Sequence, residues 1–409
     1  MNQTAARSGS VFNVAVIVAA LGYFVDIYDL LLFSIIRVPS LQELGLSEDQ
    51  IRDDGLYIIN MQMMGLLIGG ILWGVLADKK GRLSVLFASI ILYSLGNIAN
   101  GFVQNVDQYA WVRLISGIGL AGELGAGITL VSELLPKDRR GVGTSLVAGI
   151  GLSGAVLAYI MKENFHWRTC YFIGGALGFM LLFLRIKVAE SGMFKDVRDS
   201  KVSKGNFLMF FNNAVRFKKY MLSILIGLPT WFVIGILVSF SKEFGKQMGV
   251  VGDIDPGKSI MYAYAAISLG DIAVGLVSQV LKSRKKALFI FYGLTIIGMI
   301  WFFNLQQATV QELYWACALL GFGTGFWAIF VTMAAEQFGT NLRATAATTV
   351  PNMVRGSLNL IALLFTGLQV SYSYVQSGII TAVVIMVITF VAAAYTRETF
   401  GKDLNYVEE

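Results

Sequence analysis

The decapeptide GVLADKKGRL, residues 74–83, carries the only charged residues between Leu56 and Gln104. It separates two apolar runs, 56–77 and 83–104. Each is long enough to cross a hydrocarbon core of ~30 Å. The pattern recurs to both ends of the chain. Of 409 residues, 56% are hydrophobic and 14% charged, where soluble domains run near 25% charged. The composition is that of a polytopic membrane protein. A net charge of +6 then reports basic loops on one side of a bilayer, and nucleic acid is not an expected partner.

Twelve spans are expected, at roughly 11–36, 56–77, 83–104, 109–135, 142–161, 168–188, 219–241, 259–281, 286–305, 312–335, 344–368 and 374–396. The first is too long for a signal-peptide core and lacks a small-residue cleavage site after it, so it reads as a retained helix. The longest polar stretch, 189–218, is the expected linker between a first half, 1–188, and a second, 219–409. Lys79, Lys80 and Arg82, then Lys137, Arg139 and Arg140, then the linker, then Lys282, Arg284, Lys285 and Lys286, then Arg343 all fall on one side. The first loop instead carries Glu43, Glu48, Asp49, Asp53 and Asp54. Basic loops stay cytoplasmic, which predicts both termini inside, in a plasma or inner membrane. Cys170 and Cys317 lie far apart in apolar segments, and His166 is the sole histidine. Neither a disulfide framework nor a histidine-rich metal site is expected, and no cofactor.

The chain repeats itself. Trp111, Gly117 and Gly119 match Trp315, Gly321 and Gly323 at an offset of 204, Glu133 and Arg140 match Glu336 and Arg343 at 203, and Gly74 matches Gly275 at 201. Parallel six-helix repeats are a transporter architecture. GVLADKKGRL, with Gly74, Asp78, Gly81 and Arg82, resembles the cytoplasmic signature of the major facilitator superfamily. The second copy, GLVSQVLKSRKK, has Gln279 in place of the aspartate. The resemblance implies an all-α fold of twelve transmembrane helices in two pseudo-symmetric halves, moving by alternating access.

Two further pieces resemble the phosphate and metabolite:proton symporters. One is DIYD in the first span, with Asp26 and Asp29. The other is Glu123 in GIGLAGELGAG. Arg113 in WVRLISGIG stands where related sugar:proton symporters carry an arginine that pairs with the first-helix aspartate. SELLPKDRRG, with Glu133, Arg139 and Arg140, resembles their cytoplasmic gate. The resemblance implies proton coupling through Asp26, Arg113 and Glu123, and a gate of Gly74, Asp78, Gly81, Arg82, Glu133, Arg139, Arg140, Glu336 and Arg343.

Depth bears on the same residues. At about 1.5 Å per residue, Asp26 lies about 15 Å from the outer end of its span and Arg113 about 6–9 Å from that of its own, within reach of a long side chain. Asp26 is then a proton carrier or a structural partner of Arg113. Asp29, one turn outward, is a cavity residue or a hydrated interfacial carboxylate. Glu123, Asp271 and Arg355 fall near the midplane, where ionisable groups cost at least ~2.5–3.5 kcal/mol unless paired or hydrated. Asp271 lines the cavity or binds a helix break at Gly270. Arg355 ties helices together or meets an anionic substrate. Tyr23, Tyr28, Trp231 and Trp327 are aromatic candidates for covering substrate, or packing. Glu133/Arg140 and Glu336/Arg343 read as helix-end ion pairs.

GIGLAG, 117–122, matches a dinucleotide motif but has no preceding strand. GDIDPGKS, 252–259, matches a phosphate loop but falls in an outer loop with two aspartates inside it. With no histidine triad or metal cluster, an enzyme is not expected. The sequence points to proton-coupled uptake of a small polar or anionic metabolite, a carboxylate or phosphate, by a protein acting as a monomer. A sugar transporter or efflux antiporter of the same fold is the alternative.

Overall fold

The computed structural model describes residues 14–123, 135, 140–184, 207–402 and 406–408. They form helices α1 (Val14–Glu43), α2 (Glu48–Lys80), α3 (Arg82–Asn100), α4 (Val106–Leu120), α5 (Arg140–Leu152), α6 (Gly154–Asn164), α7 (Trp167–Leu184), α8 (Ala214–Leu225), α9 (Leu228–Phe232), α10 (Ser241–Met248), α11 (Pro256–Leu281), α12 (Arg284–Phe303), α13 (Val310–Thr324), α14 (Trp327–Glu336), α15 (Arg343–Gly356), α16 (Leu358–Leu368) and α17 (Tyr374–Tyr395). Several spans are therefore helices in pieces. The fifth is α5 with α6, the tenth α13 with α14, and the eleventh α15 with α16. The seventh begins at Ala214, before the expected 219, and runs through α8, α9, a π-helical segment Val233–Val238 and α10.

Local chemistry sets the ends. Ser47 and Gln50 form a reciprocal capping box at the start of α2, as do Thr309 with Glu312 for α13 and Ser373 with Gln376 for α17. Each pair satisfies amides that a helix start leaves open. Gly81 turns the chain between α2 and α3 at φ 97°, a conformation that disfavours side chains. Nine described helical stretches are long and apolar enough to span a bilayer, and Ser84–Asn100 is a shorter apolar helix. The eleventh span is not among the nine, because α15 carries Arg343, Thr345, Thr348, Thr349, Asn352 and Arg355, all buried.

The internal repeat is visible in the packing. A Cβ on Gly117 would lie 2.3 Å from the Gln62 carbonyl of α2, and one on Gly321 would lie 2.1 Å from the Ala263 carbonyl of α11. A Cβ on Gly119 would lie 2.6 Å from the Tyr93 amide nitrogen, and one on Gly323 2.6 Å from that of Thr295. Matching glycines thus let matching spans approach backbone to backbone, the small-residue packing that membrane helices use. Trp111 and Trp315, the other repeat pair, both face outward. The halves meet along α2 with α15 and α5 with α11.

Candidate functional site

Six spans converge on one central cavity. Tyr23 and Ile27 of α1, Leu152 of α5, Thr230 and Trp231 of α9, Tyr264 and Ile267 of α11, Trp327 of α14 and Arg355 of α15 line it. The void is small in this closed arrangement, about 10 Å³, room for about one water, so a ligand of the usual ~300–1,000 Å³ site requires the walls to part. Its walls hold polar atoms with no hydrogen-bond partner among the described residues: Tyr23 Oη, Thr230 Oγ1, Trp231 Nε1, Trp327 Nε1 and Arg355 Nε. Buried polar groups are ordinarily satisfied, so five such atoms around one void make it the candidate binding site.

Arg355 is the strongest of these groups. It is 1% exposed. Its Nη1 donates to Asn352 Oδ1 at 3.1 Å, and its guanidinium lies 5.7 Å from the Trp327 ring centre. Among the described residues no carboxylate forms an ion pair with it. Tyr23 sits within electrostatic reach of Arg355, Asp26, Tyr264 and Asp271.

Two broken spans shape the cavity. The tenth leaves helical geometry at Gly325 and Phe326. Gly325 is packed so closely on Gly270 that an added Cβ would lie 2.6 Å from its Cα. Asp271 does not line the void. Its Oδ1 accepts the Ala328 amide at 2.8 Å, so it caps α14 from the neighbouring span and holds Trp327 in place. The seventh span bends after its π-helical segment, a geometry frequent at functional sites.

Arg113 is held differently from the sequence expectation. Its Nη1 donates to Asp29 Oδ1 at 2.9 Å, Nη2 to the Asp29 carbonyl at 2.9 Å, and Nε to Gln62 Oε1 at 3.2 Å. Its three nitrogens go to Asp29 and Gln62. Asp29 is fully buried rather than at an exposed interface, and it is not among the cavity's lining residues. Asp26 and Glu123 are buried as well. Tyr28 faces the sixth span, its hydroxyl donating to the Cys170 carbonyl at 2.8 Å.

At the end of the bundle that carries the GVLADKKGRL loop, the Gly74 carbonyl accepts from Thr345 Oγ1 of the other half at 3.2 Å. Glu336 does not take Arg343 as its counter-ion. Both its oxygens are held by Arg284, at 2.7 and 2.8 Å, because α12 begins beside the end of α14. Arg343 is buried at the start of α15. Glu133 and Arg139 lie outside the described residues, as do the side chains of Asp78, Arg82 and Arg140.

The opposite end carries a latch that the sequence reading missed. Arg37 Nη2 of α1 donates to Glu243 Oε1 at 2.9 Å and to the Ser239 carbonyl at 3.2 Å, with the guanidinium 4.3 Å from the Phe240 ring centre. Lys246 pairs with Glu48 at 2.9 Å and Lys162 with Asp255 at 2.7 Å. All three pairs join the two halves. The only signal for them was a group of opposite charges at span ends. GDIDPGKS serves this latch: Asp255 also accepts the Gly257 amide at 2.9 Å and so caps α11, while Lys258 lies over Tyr314.

Comparison with known proteins agrees with this architecture. The chain is 26% identical over 407 residues to a putative metabolite transport protein of Haemophilus influenzae, covering 96% of this chain and 97% of the relative. It is 23% identical over 431 residues to the niacin transporter NiaP of Acinetobacter baylyi, covering 95% of each. Among solved structures, a proton:xylose symporter bound to 6-bromo-6-deoxy-D-glucose superposes with a TM-score of 0.76 at 18% identity, over 96% of this chain and 97% of the other. That likeness is one of fold. The sequence profile of the Major Facilitator Superfamily matches residues 19–362, and with twelve spans in two repeated halves around a central cavity the chain belongs to that superfamily of transporters.

Proposed function

We propose that the protein imports a small organic or inorganic anion, of the carboxylate or phosphate class, together with protons. The observation that carries the reading is Arg355, a buried guanidinium facing a cavity with no carboxylate paired to it. An anion about 4 Å from it gains about 4 kcal/mol at an effective dielectric near 20. Trp231, Trp327, Tyr23 and Tyr264 supply aromatic walls and donors. A flat carboxylate fits that chemistry, and one relative is named for niacin, a pyridine carboxylate.

Asp26, buried on the same helix as Tyr23, is the proton carrier, with Glu123 as a second candidate. A proton with a monoanion adds no net charge to the low-dielectric site, which lowers the cost of closing around both. Residues 1–188 and 219–409 rock about the cavity, with 189–218 as a cytoplasmic linker and a single chain as the working unit. The Arg37–Glu243 end faces outside, and both termini lie inside a plasma or inner membrane. Outward opening breaks the three ion pairs, and inward opening parts Gly74 from Thr345.

The test is transport in proteoliposomes with benzoate and inorganic phosphate as probes. The wild-type protein accumulates one of them under an inward proton gradient. D26N exchanges the same anion across the membrane but does not accumulate it. Accumulation by D26N at the wild-type level overturns Asp26 as the carrier, and transport indifferent to the pH gradient overturns proton coupling.

A further inference from the structure

We propose that Asn352 is the positioning residue that transmits anion binding at Arg355 to the opposite half of the protein. This rests on the anion-site reading above. Asn352 lies three residues before Arg355 on α15 and is 2% exposed. Its Oδ1 accepts from Arg355 Nη1 at 3.1 Å. Its Nδ2 donates at 2.8 Å to the Ala121 carbonyl of the first half and at 2.8 Å to the Thr348 carbonyl of its own helix. One amide therefore joins the candidate anion ligand to the other half.

The place it joins is specific. Ala121 caps the end of α4, and Glu123, the buried carboxylic acid of that span, follows two residues later. Asn352 has little room to step aside, since a Cβ on Gly70 of α2 would lie 2.6 Å from its own Cβ. A hydrogen bond accepted from a cation strengthens the bonds the same amide donates. When an anion draws the Arg355 guanidinium into the cavity, Oδ1 loses that cationic donor and the bond to Ala121 weakens. Occupancy of the site thus loosens a contact between the halves beside Glu123.

The experiment compares wild type, N352A, N352D and R355A in proteoliposomes, using whichever of benzoate and inorganic phosphate the wild type takes up. N352A is expected to exchange the anion with a KM within about threefold of wild type while its proton-driven accumulation falls about tenfold or more. N352D places a carboxylate against Arg355 and occupies the site from within. It is expected to raise the KM for the anion about tenfold or more while its melting temperature without anion stays at or above that of wild type, a combination that misfolding does not produce. Exchange and accumulation falling together in N352A, as in R355A, overturns the inference, and so does full coupling in N352A. An R355A protein that still binds the anion overturns the anion-site reading itself, whereas loss in R355A beside an unaltered N352A overturns only the role of Asn352.

Discussion

Asp29 and Arg113 form a fully buried ion pair, and its removal gives a prediction with a sign and a size. With charge centres about 4 Å apart and an effective dielectric near 20, attraction is about 4 kcal/mol. Removing one partner of such a pair costs about 3–5 kcal/mol, because the other charge stays buried and unpaired. D29N keeps the side-chain shape, the bond Arg113 donates to the residue 29 carbonyl and the one it donates to Gln62 Oε1, so it falls near the lower figure. R113A removes all three bonds and strands the Asp29 carboxylate, so it falls near the upper one. The double variant D29N/R113A strands no charge and recovers part of the loss. The interaction energy in the double-mutant cycle should exceed about 1.5 kcal/mol, against about 0.5 kcal/mol or less for D26N with R113A. Equilibrium unfolding of the purified protein in mixed micelles measures both cycles. A strong Asp26–Arg113 term beside a weak Asp29–Arg113 term refutes the assignment of the pair.

Three other expectations follow from geometry. Cysteines at Arg37 and Glu243, joined by a reducible bifunctional thiol reagent that spans the reach of the two original side chains, hold the protein closed and stop transport until reduced, while R37A shifts the population toward the outward-open form and raises accessibility of cavity cysteines to external reagents. Cβ atoms on Gly65 and Gly321 would each lie 2.1 Å from a facing carbonyl. G65V and G321V therefore lose folded protein in detergent, by several kcal/mol when both backbones must part. Glu398, beyond the last span, accepts the Arg284 amide at 3.0 Å and the Ser283 hydroxyl. Burial raises its pKa, but the hydrogen bonds from Ser283 and the Phe400, Arg284 and Lys285 amides outweigh that and hold it below the usual glutamate range. Its stabilisation is therefore present above the unfolded-state pKa and lost as the pH falls through the lower folded one, so E398Q narrows the gap in melting temperature between pH 7 and pH 4.

The fold was legible because membrane helices announce themselves by length, and because the repeat left Trp111/Trp315, Gly117/Gly321 and Gly119/Gly323 in register. Those glycines turned out to touch matching backbones. The cavity was half legible. Tyr23, Trp231, Trp327 and Arg355 stand out as aromatic or charged residues near the midplane, and they line it. Tyr28 has the same signature but points at Cys170, since residue type does not report rotation about the helix axis. Thr230, Tyr264 and Asn352 carry no signal that separates them from ordinary buried polar groups. The pairing of Arg113 was within reach of arithmetic. Asp29 is one turn nearer the depth of Arg113 than Asp26, so depth favoured it while the resemblance drew attention to Asp26. Glu336 was matched to Arg343 by sequence spacing, but Arg284 lies beside it through the antiparallel packing of the ninth and tenth spans.

The most direct test of the central claim is thermal stabilisation of the wild-type protein and R355Q by benzoate, inorganic phosphate and a neutral sugar at pH 5.5 and pH 7.5. A ligand at a hundred times its Kd stabilises the folded state by about 2.7 kcal/mol. Anion binding at Arg355 gives a rise in melting temperature with an anion, none with the sugar, and no anion response in R355Q. Stabilisation by the sugar, unchanged in R355Q, would contradict it.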